Sequence, residues 1–460
     1  MSPLSPHQPN HTIAQPSAKE QAPNHNLAPI VCHAFPAWDG DYLKSTVQLM
    51  RQLALRRKVL YVDYAYTWKD FFKSLTGRGH ASWRRMLGLQ NPLRKIELPD
   101  PKTTSQPVNQ STNQPIGSLH VLTLPPVLPT NFLRNPRLYD WANALNVKWL
   151  RGRIRTAMHT LGIEKPVVVN AFNPAFGLHL VGELGEKQLI YYCYDEIGAA
   201  KWAKNHGARL ERQFIPKCDA VVVSSAGLLR RKSPLHPRTV LVKNGVDFDL
   251  FSREVAPADL PEIPGRTANQ PVIGYLGSVD ERLDYQLIES LARLLPKAMF
   301  VFVGRVQTSA ESERIRLLPN VFFAGPKPPE TLPAWVQTFD VCLIPFVKNE
   351  LTAGIYPLKI NEYLAAGKPV IATPFADLSD FEGIISVAND VDSFIRAIEK
   401  YILENAPRER ARRVFFAGKN SWAARGTEFE RVWAGEELEQ NLQTEIIHLP
   451  HVKQAPAPAF

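Results

Sequence analysis

At 460 residues, 45% hydrophobic and 21% charged, the chain has the length and balance of two globular domains with separate cores. It has no apolar run long enough to cross a bilayer and no hydrophobic stretch of a secretory signal near its polar start, which predicts a cytoplasmic protein without a membrane span. The net charge of +10 asks for an anionic ligand or surface, yet no recognisable nucleic-acid module accompanies it.

Residues 1–27, rich in Pro, Gln, Asn and His, predict a disordered leader. A first α/β domain follows over residues 28–250. Ile30 to His33 reads as a strand, Tyr42 to Leu55 as a helix and Val59 to Val62 as a second strand. Ligands of such sheets bind beyond the carboxyl ends of the strands, which makes His33 and Asp39 candidates. Two stretches interleave cations with aromatics: Tyr66 to Lys95, with Lys69, Lys73, Arg84 and Arg85 among Trp68, Phe71, Phe72 and Trp83, and Phe132 to Arg155, with Arg134, Arg137, Lys148 and Arg153 around Trp141 and Trp149. Either they lie on an anionic membrane surface or they are solvated helix faces with aromatic core anchors. Between them, residues 99–118 predict a long polar loop.

Further strands are expected at Leu119 to Thr123, Pro166 to Asn170, Leu189 to Cys193, Ala220 to Ser224 and Thr239 to Val242. The one ending at Cys193 delivers Asp195 and Glu196 to its carboxyl end. The four cysteines (Cys32, Cys193, Cys218, Cys342) sit in or beside apolar runs without metal-ligand spacing and read as buried thiols. Residues 251–270 are proline-bearing and predict the interdomain linker.

The second domain, residues 271–405, alternates strand and helix from Pro271 onward, so a parallel sheet is expected. Its most informative stretch is Tyr356-Pro-Leu-Lys-Ile-Asn-Glu-Tyr-Leu-Ala-Ala-Gly-Lys-Pro-Val-Ile-Ala-Thr373. Pro357 suits a first helical position, Gly367 and Pro369 end the helix, and a short buried strand follows. Lys359 and Glu362 lie three apart near the helix start, where anions are attracted. Ser421-Trp422 opens an amphipathic helix through about Glu439, within helices expected over 406–440, and residues 441–460 are expected to form a tail.

The order Gly274-Tyr-Leu-Gly277, Val301-Phe-Val-Gly304, Leu318-Pro-Asn-Val-x-Phe-x-Gly325, Phe339-Asp-Val-Cys-Leu-Ile-Pro-Phe346 and the Tyr356 to Thr373 string resembles bacterial glycosyltransferases related to family 4, of the branch that makes teichuronic acid and other cell-surface polysaccharides. Val242-Lys-Asn-Gly-Val-Asp-Phe248 is similar to the end of the N-terminal domain in that family, with Lys243 where Pro is common. The resemblance implies the GT-B fold, two Rossmann-like doubly wound parallel-sheet domains facing an interdomain cleft, with the C-terminal helices of 406–440 crossing back to the first domain. It implies a nucleotide-sugar donor, UDP-sugar first, used as substrate without a cofactor or required metal, and a glycan or lipid-linked acceptor.

By the same resemblance Glu362 would bind the donor ribose. Lys359 is the candidate for the diphosphate, helped by backbone amides of Thr352 to Tyr356 and of Gly277 and Ser278, with Arg282 as a second cation and Arg305 near the base. Asp195 or Glu196 could orient or deprotonate the acceptor, with His33 and Asp39 as rivals. Many relatives carry a second glutamate where this sequence has Gly354. An epimerase of the same fold and a non-catalytic scaffold are the alternatives.

Overall fold

The computed structural model describes residues 27–39, 44–77, 82–98, 117–199, 203, 205–404 and 406–434. The expected leader and tail and most of the 99–118 loop lie outside them. Two sheets organise the chain. The first contains β1 (Ile30–Ala34), β2 (Lys58–Val62), β3 (Leu93–Ile96), β4 (Ser118–Leu122), β5 (Val167–Ala171), β6 (Gln188–Cys193), β7 (Ala220–Val223) and β8 (Thr239–Leu241), in the order β3-β4-β2-β1-β5-β6-β7-β8. The second contains β9 (Val272–Leu276), β10 (Met299–Val303), β11 (Val321–Gly325), β12 (Val341–Ile344), β13 (Val370–Ala372) and β14 (Ser386–Val387), in the order β11-β10-β9-β12-β13-β14.

Every pairing is parallel except β3 with β4. The strand order of the second sheet reverses between β9 and β12, the switch point at which doubly wound folds bind ligands. The antiparallel edge strand is an element the sequence does not announce: Leu93–Ile96 carries two cations in four residues, and as an edge strand it needs only one paired side.

In the N-terminal half the strands are threaded by α1 (Ser45–Ala54), α2 (Trp68–Leu75), α3 (Trp83–Met86), α4 (Pro136–Thr160), α5 (Pro174–Gly177), α6 (Gly207–Phe214) and α7 (Ala226–Lys232). Interior strands such as β1 and β5 are buried along their whole length because helices cover both faces. One face packs Leu60, Val62, Val168 and Tyr191 against Val147, Leu150 and Ile154 of α4. The other packs Cys32, Val59 and Val169 against Leu49 and Leu53 of α1. All four cysteines are buried free thiols.

The second half carries α8 (Phe248–Ser252), α9 (Tyr285–Leu294), α10 (Ala310–Arg316), α11 (Leu332–Gln337), α12 (Leu358–Ala365), α13 (Val391–Leu403), α14 (Pro407–Lys419) and α15 (Trp422–Ala434). Pro357 stands one residue before α12, at its cap rather than in its first turn. The chain returns at Ser421, where Val246 N–H donates to Asn420 O and Trp422 N–H to Val246 O. From there α15 lays Trp422, Phe429 and Val432 into the α1 side of the first core, and Arg57 pairs with Glu430 at 2.6 Å.

Candidate functional site

The carboxyl ends of β9 and β10 come together through glycine. Gly277 has φ +153° and Gly304 φ +147°, and a Cβ on Gly304 would lie 2.0 Å from the Gly277 carbonyl oxygen. No side chain fits there, so the two loops close on each other and are tied by Val279 N–H to Arg305 O and Gln307 N–H to Val279 O. Ser278 is half-buried in this turn, its carbonyl taken by the Tyr275 hydroxyl, and Arg305 stands exposed on the adjoining loop.

α12 is docked onto the same edge by Tyr363, whose buried hydroxyl accepts the Leu276 N–H at 2.6 Å. That contact fixes which face of α12 meets the cleft. Lys359 Nζ lies 2.9 Å from Glu362 Oε2 and 3.2 Å from Oε1, so the cation and carboxylate the sequence placed side by side form an ion pair. Pro357 supplies no side-chain cap, and the first-turn amides of Leu358 and Lys359 have no acceptor within the helix.

One donor-side candidate requires correction. Thr352 is fully buried and its hydroxyl donates to Val347 O, while the amides of Thr352, Ala353, Gly354 and Ile355 are bonded to acceptors within the 349–352 turn. The loop therefore closes on itself and lends few amides to a phosphate. Tyr356 turns its ring inward against Phe381, while its amide takes no part in the 349–352 turn.

Arg282 is held by Asp280 in a two-pronged pair of 2.8 and 2.7 Å and lies over the Phe346 ring. It is also close enough to Asp195, from the first sheet, for their charges to interact. Burial raises the Asp195 carboxyl above the ordinary range, while the Glu196 N–H and Arg282 pull it back. Glu196 turns away, toward Arg231 at 3.0 Å and Lys232 at 3.1 Å. Lys232 is itself buried and reaches Glu211 at 2.6 Å. Gly354 sits beside this group: a Cβ there would lie 2.8 Å from the Arg231 guanidinium.

His33 lies on β1, a central strand of the first sheet, and Asp39 in the loop that follows it. Burial lowers the His33 imidazole to about 4, so it is neutral near pH 7. Asn170 faces its Nδ1 at 3.4 Å, but Nε2 is buried with no hydrogen-bond partner among the described residues, so it is not a fully satisfied core histidine. Asp39 is claimed by Arg94 at 2.8 Å and Arg85 at 3.5 Å. The sequence reading missed Asp63, which directly follows β2 as Asp195 follows β6. Its carboxylate accepts the Trp38 and Tyr64 N–H groups, and burial raises it to about 6. Its place at a strand end was the available signal.

Comparison with known proteins agrees with this architecture. Residues 270–405 match the family described as glycosyl transferases group 1. A Bacillus subtilis (strain 168) protein, TuaH, provisionally named a teichuronic acid biosynthesis glycosyltransferase, is 28% identical over 238 residues, 47% of this chain and 59% of its own length. Sucrose-phosphate synthase from Thermosynechococcus elongatus superposes with a TM-score of 0.59 at 16% identity, over 89% of this chain and 99% of that one. Anabaena Alr3699/HepE in complex with UDP-glucose superposes at 0.55 and 14% identity, over 89% and 100%. The fold is GT-B, as the motif order implies. The epimerase and scaffold alternatives gain no support from these likenesses.

Proposed function

We propose that this chain, whose residues 270–405 form a glycosyl transferases group 1 domain, moves a sugar from a nucleotide-sugar to a glycan or lipid-linked acceptor in cell-surface polysaccharide synthesis. The observation that carries the reading is the Lys359–Glu362 pair at the uncapped start of α12, beside the glycine-closed turns of β9 and β10. A nucleoside diphosphate matches that arrangement group for group. Its phosphates draw Lys359 and the first-turn amides, and the ribose hydroxyls donate to the Glu362 carboxylate that Lys359 gives up.

As the bond to the anomeric carbon breaks, negative charge grows on the diphosphate, where Lys359, Arg282 and the amides are already oriented. These groups can meet that charge without a metal. Asp195, whose charge interacts with that of Arg282, orients the acceptor hydroxyl in this reading, and its raised carboxyl suits proton transfer. UDP is the expected nucleotide, in keeping with the UDP-glucose of the Anabaena structure.

The acceptor is met at an anionic membrane surface on the cytoplasmic side. No helix among the described residues is long and apolar enough to cross a membrane. α4 instead exposes a stripe of Leu138, Trp141, Leu145 and Trp149, with Trp141 60% and Trp149 67% exposed, flanked by Arg134, Arg137, Lys148 and Arg153. Phe72 on α2 is 61% exposed. Aromatics serving as core anchors would be buried, as Phe71 is. Exposed rings among cations suit a surface of acidic lipid.

The test is thermal unfolding of the wild type and of Glu362→Ala with UDP, GDP, ADP and CMP. A ligand of the native state raises the midpoint. One nucleotide should stabilise the wild type and leave the variant unmoved; no response to any of them at millimolar concentration overturns the reading.

A further inference from the structure

On the N-terminal domain a recess of about 20 Å³ opens at the carboxyl ends of β5 and β6, under the start of α4. That is room for one water-sized group. Asn131, Tyr139, Asn173, Asn205 and His206 face it, with Ile197 among its apolar walls.

His206 is 5% exposed, and its ring stacks on Tyr139 with centroids 4.0 Å apart. Its Nε2 lies 2.7 Å from the Leu133 carbonyl, which can only accept, so Nε2 is the nitrogen that donates in the Nε2–H tautomer. Nδ1 is then a lone-pair acceptor, and it is buried with no hydrogen-bond partner among the described residues. Donors stand beside it. α6 begins at the next residue without a side-chain cap, leaving its first amides without helical acceptors. Asn173 uses its side-chain oxygen to accept the Phe176 N–H at 3.4 Å, which leaves its amide nitrogen to donate. An acceptor without a partner among the described residues, sharing a recess of this size with a side-chain amide, is the complement of a hydroxyl group.

The position is as telling as the chemistry. Ile197, in the recess wall, follows Asp195 by two residues, so the recess is built on the segment that carries the carboxylate whose charge interacts with Arg282. On its other side Asn131 precedes Phe132, which is 70% exposed on the aromatic and basic rim. We infer that the recess anchors one hydroxyl of the acceptor's sugar, with His206 Nδ1 accepting from that hydroxyl while an amide donates to its oxygen. This rests on the glycosyltransferase reading and adds a second point of attachment, so that the sugar is held at His206 while another of its hydroxyls is presented at Asp195. A buried site built for a hydroxyl discriminates strongly against the sugar lacking it, because the polar groups are then left unpaired.

The test uses the full chain and small glycosides. Binding of methyl β-glucoside, methyl N-acetyl-β-glucosaminide and their monodeoxy analogues is measured by saturation-transfer NMR for the wild type, His206→Phe and Ala175→Leu. His206→Phe keeps the ring stack and removes Nδ1, together with the Nε2 bond to the Leu133 carbonyl; Ala175→Leu fills the recess and removes no hydrogen bond. At least one glycoside should bind the wild type and bind both variants about fivefold more weakly, with one deoxy position reproducing the loss. Unchanged binding in both variants, or no glycoside bound by the wild type, overturns the inference and leaves the recess holding a structural water only. UDP-induced stabilisation is read separately on the same samples. Its absence counts against the donor-site reading, whereas glycoside binding alone decides the recess.

Discussion

Ser225 and Gly354 are joined across the two domains by a 2.8 Å hydrogen bond, the hydroxyl ahead of α7 donating to the carbonyl ahead of α12. Around it the seam is made of small residues: a Cβ on Gly227 would lie 2.8 Å from Ala353 O. Lys243 with Asp380 at 2.6 Å and Asn244 with the Tyr356 carbonyl at 3.4 Å extend the contact. Gly227→Val should therefore wedge the domains apart while leaving each folded. We expect sugar transfer to fall at least about tenfold, since misplacement of this order disrupts alignment of donor and acceptor. UDP stabilisation should persist, because its residues all lie on the second domain. Unchanged turnover with an unchanged radius of gyration would contradict this.

Lys359 and Glu362 should separate by chemistry. Lys359→Gln removes the diphosphate cation and leaves the ribose carboxylate, so UDP binding should weaken about tenfold or more while uridine binding changes little. Isothermal titration of both ligands checks it, and equal losses for the two would show that Lys359 acts only through Glu362.

The acid-range stability should reveal two buried groups working against each other. Burial raises Asp63 from 3.8 to about 6, so across that window the folded state binds more protons than the unfolded chain and rising pH lowers stability. Burial lowers His33 from 6.5 to about 4, so between those values the folded state binds fewer protons and rising pH adds stability. Asp63→Asn keeps the oxygen that accepts from Trp38 and Tyr64 and removes the first effect. Urea titrations should find the variant more stable near neutral pH by on the order of 2 kcal/mol, with stability that climbs from about pH 4 to 6.5. A flat profile in the variant would count against a neutral buried His33.

Replacing both Trp141 and Trp149 by Ser should cut cosedimentation with vesicles containing phosphatidylglycerol several-fold, without lowering the unfolding midpoint, because neither ring is buried. High salt should weaken what binding remains. A lowered midpoint would mean that the rings are packed in solution.

Gly274 in β9 faces the Phe339 ring so closely that a Cβ would lie 2.1 Å from it. Gly274→Ala should destabilise the second domain by about 1–3 kcal/mol, as overpacking of a rigid core does. Chemical denaturation measures it, and a neutral effect would require Phe339 to move freely.

Several elements are legible because their signals are local. β1, β5, β9 and β10 are short apolar β-branched runs, as strands covered on both faces must be, and Lys359 and Glu362 meet because three residues is nearly one helical turn. β3 gives no such signal: Leu93–Ile96 is a strand only through its backbone pairing to β4, across a long intervening segment. The same limit applies to the site. The sequence offers Thr352 and Tyr356 as freely as Lys359, but only the folded turn at 349–355 consumes the first and only the packing on Phe381 buries the second.

By itself, then, the sequence determined the alternation of strands and helices, the cation and carboxylate at the start of α12 and the glycines that end β9 and β10, since propensity, helical spacing and freedom of φ act within a few residues. The tertiary structure decided the antiparallel edge, the seam between Ser225 and Gly354, and the burial of His206 Nδ1 without a partner among the described residues. Those depend on which groups distant in the chain are buried against each other, and burial is what makes a missing partner matter.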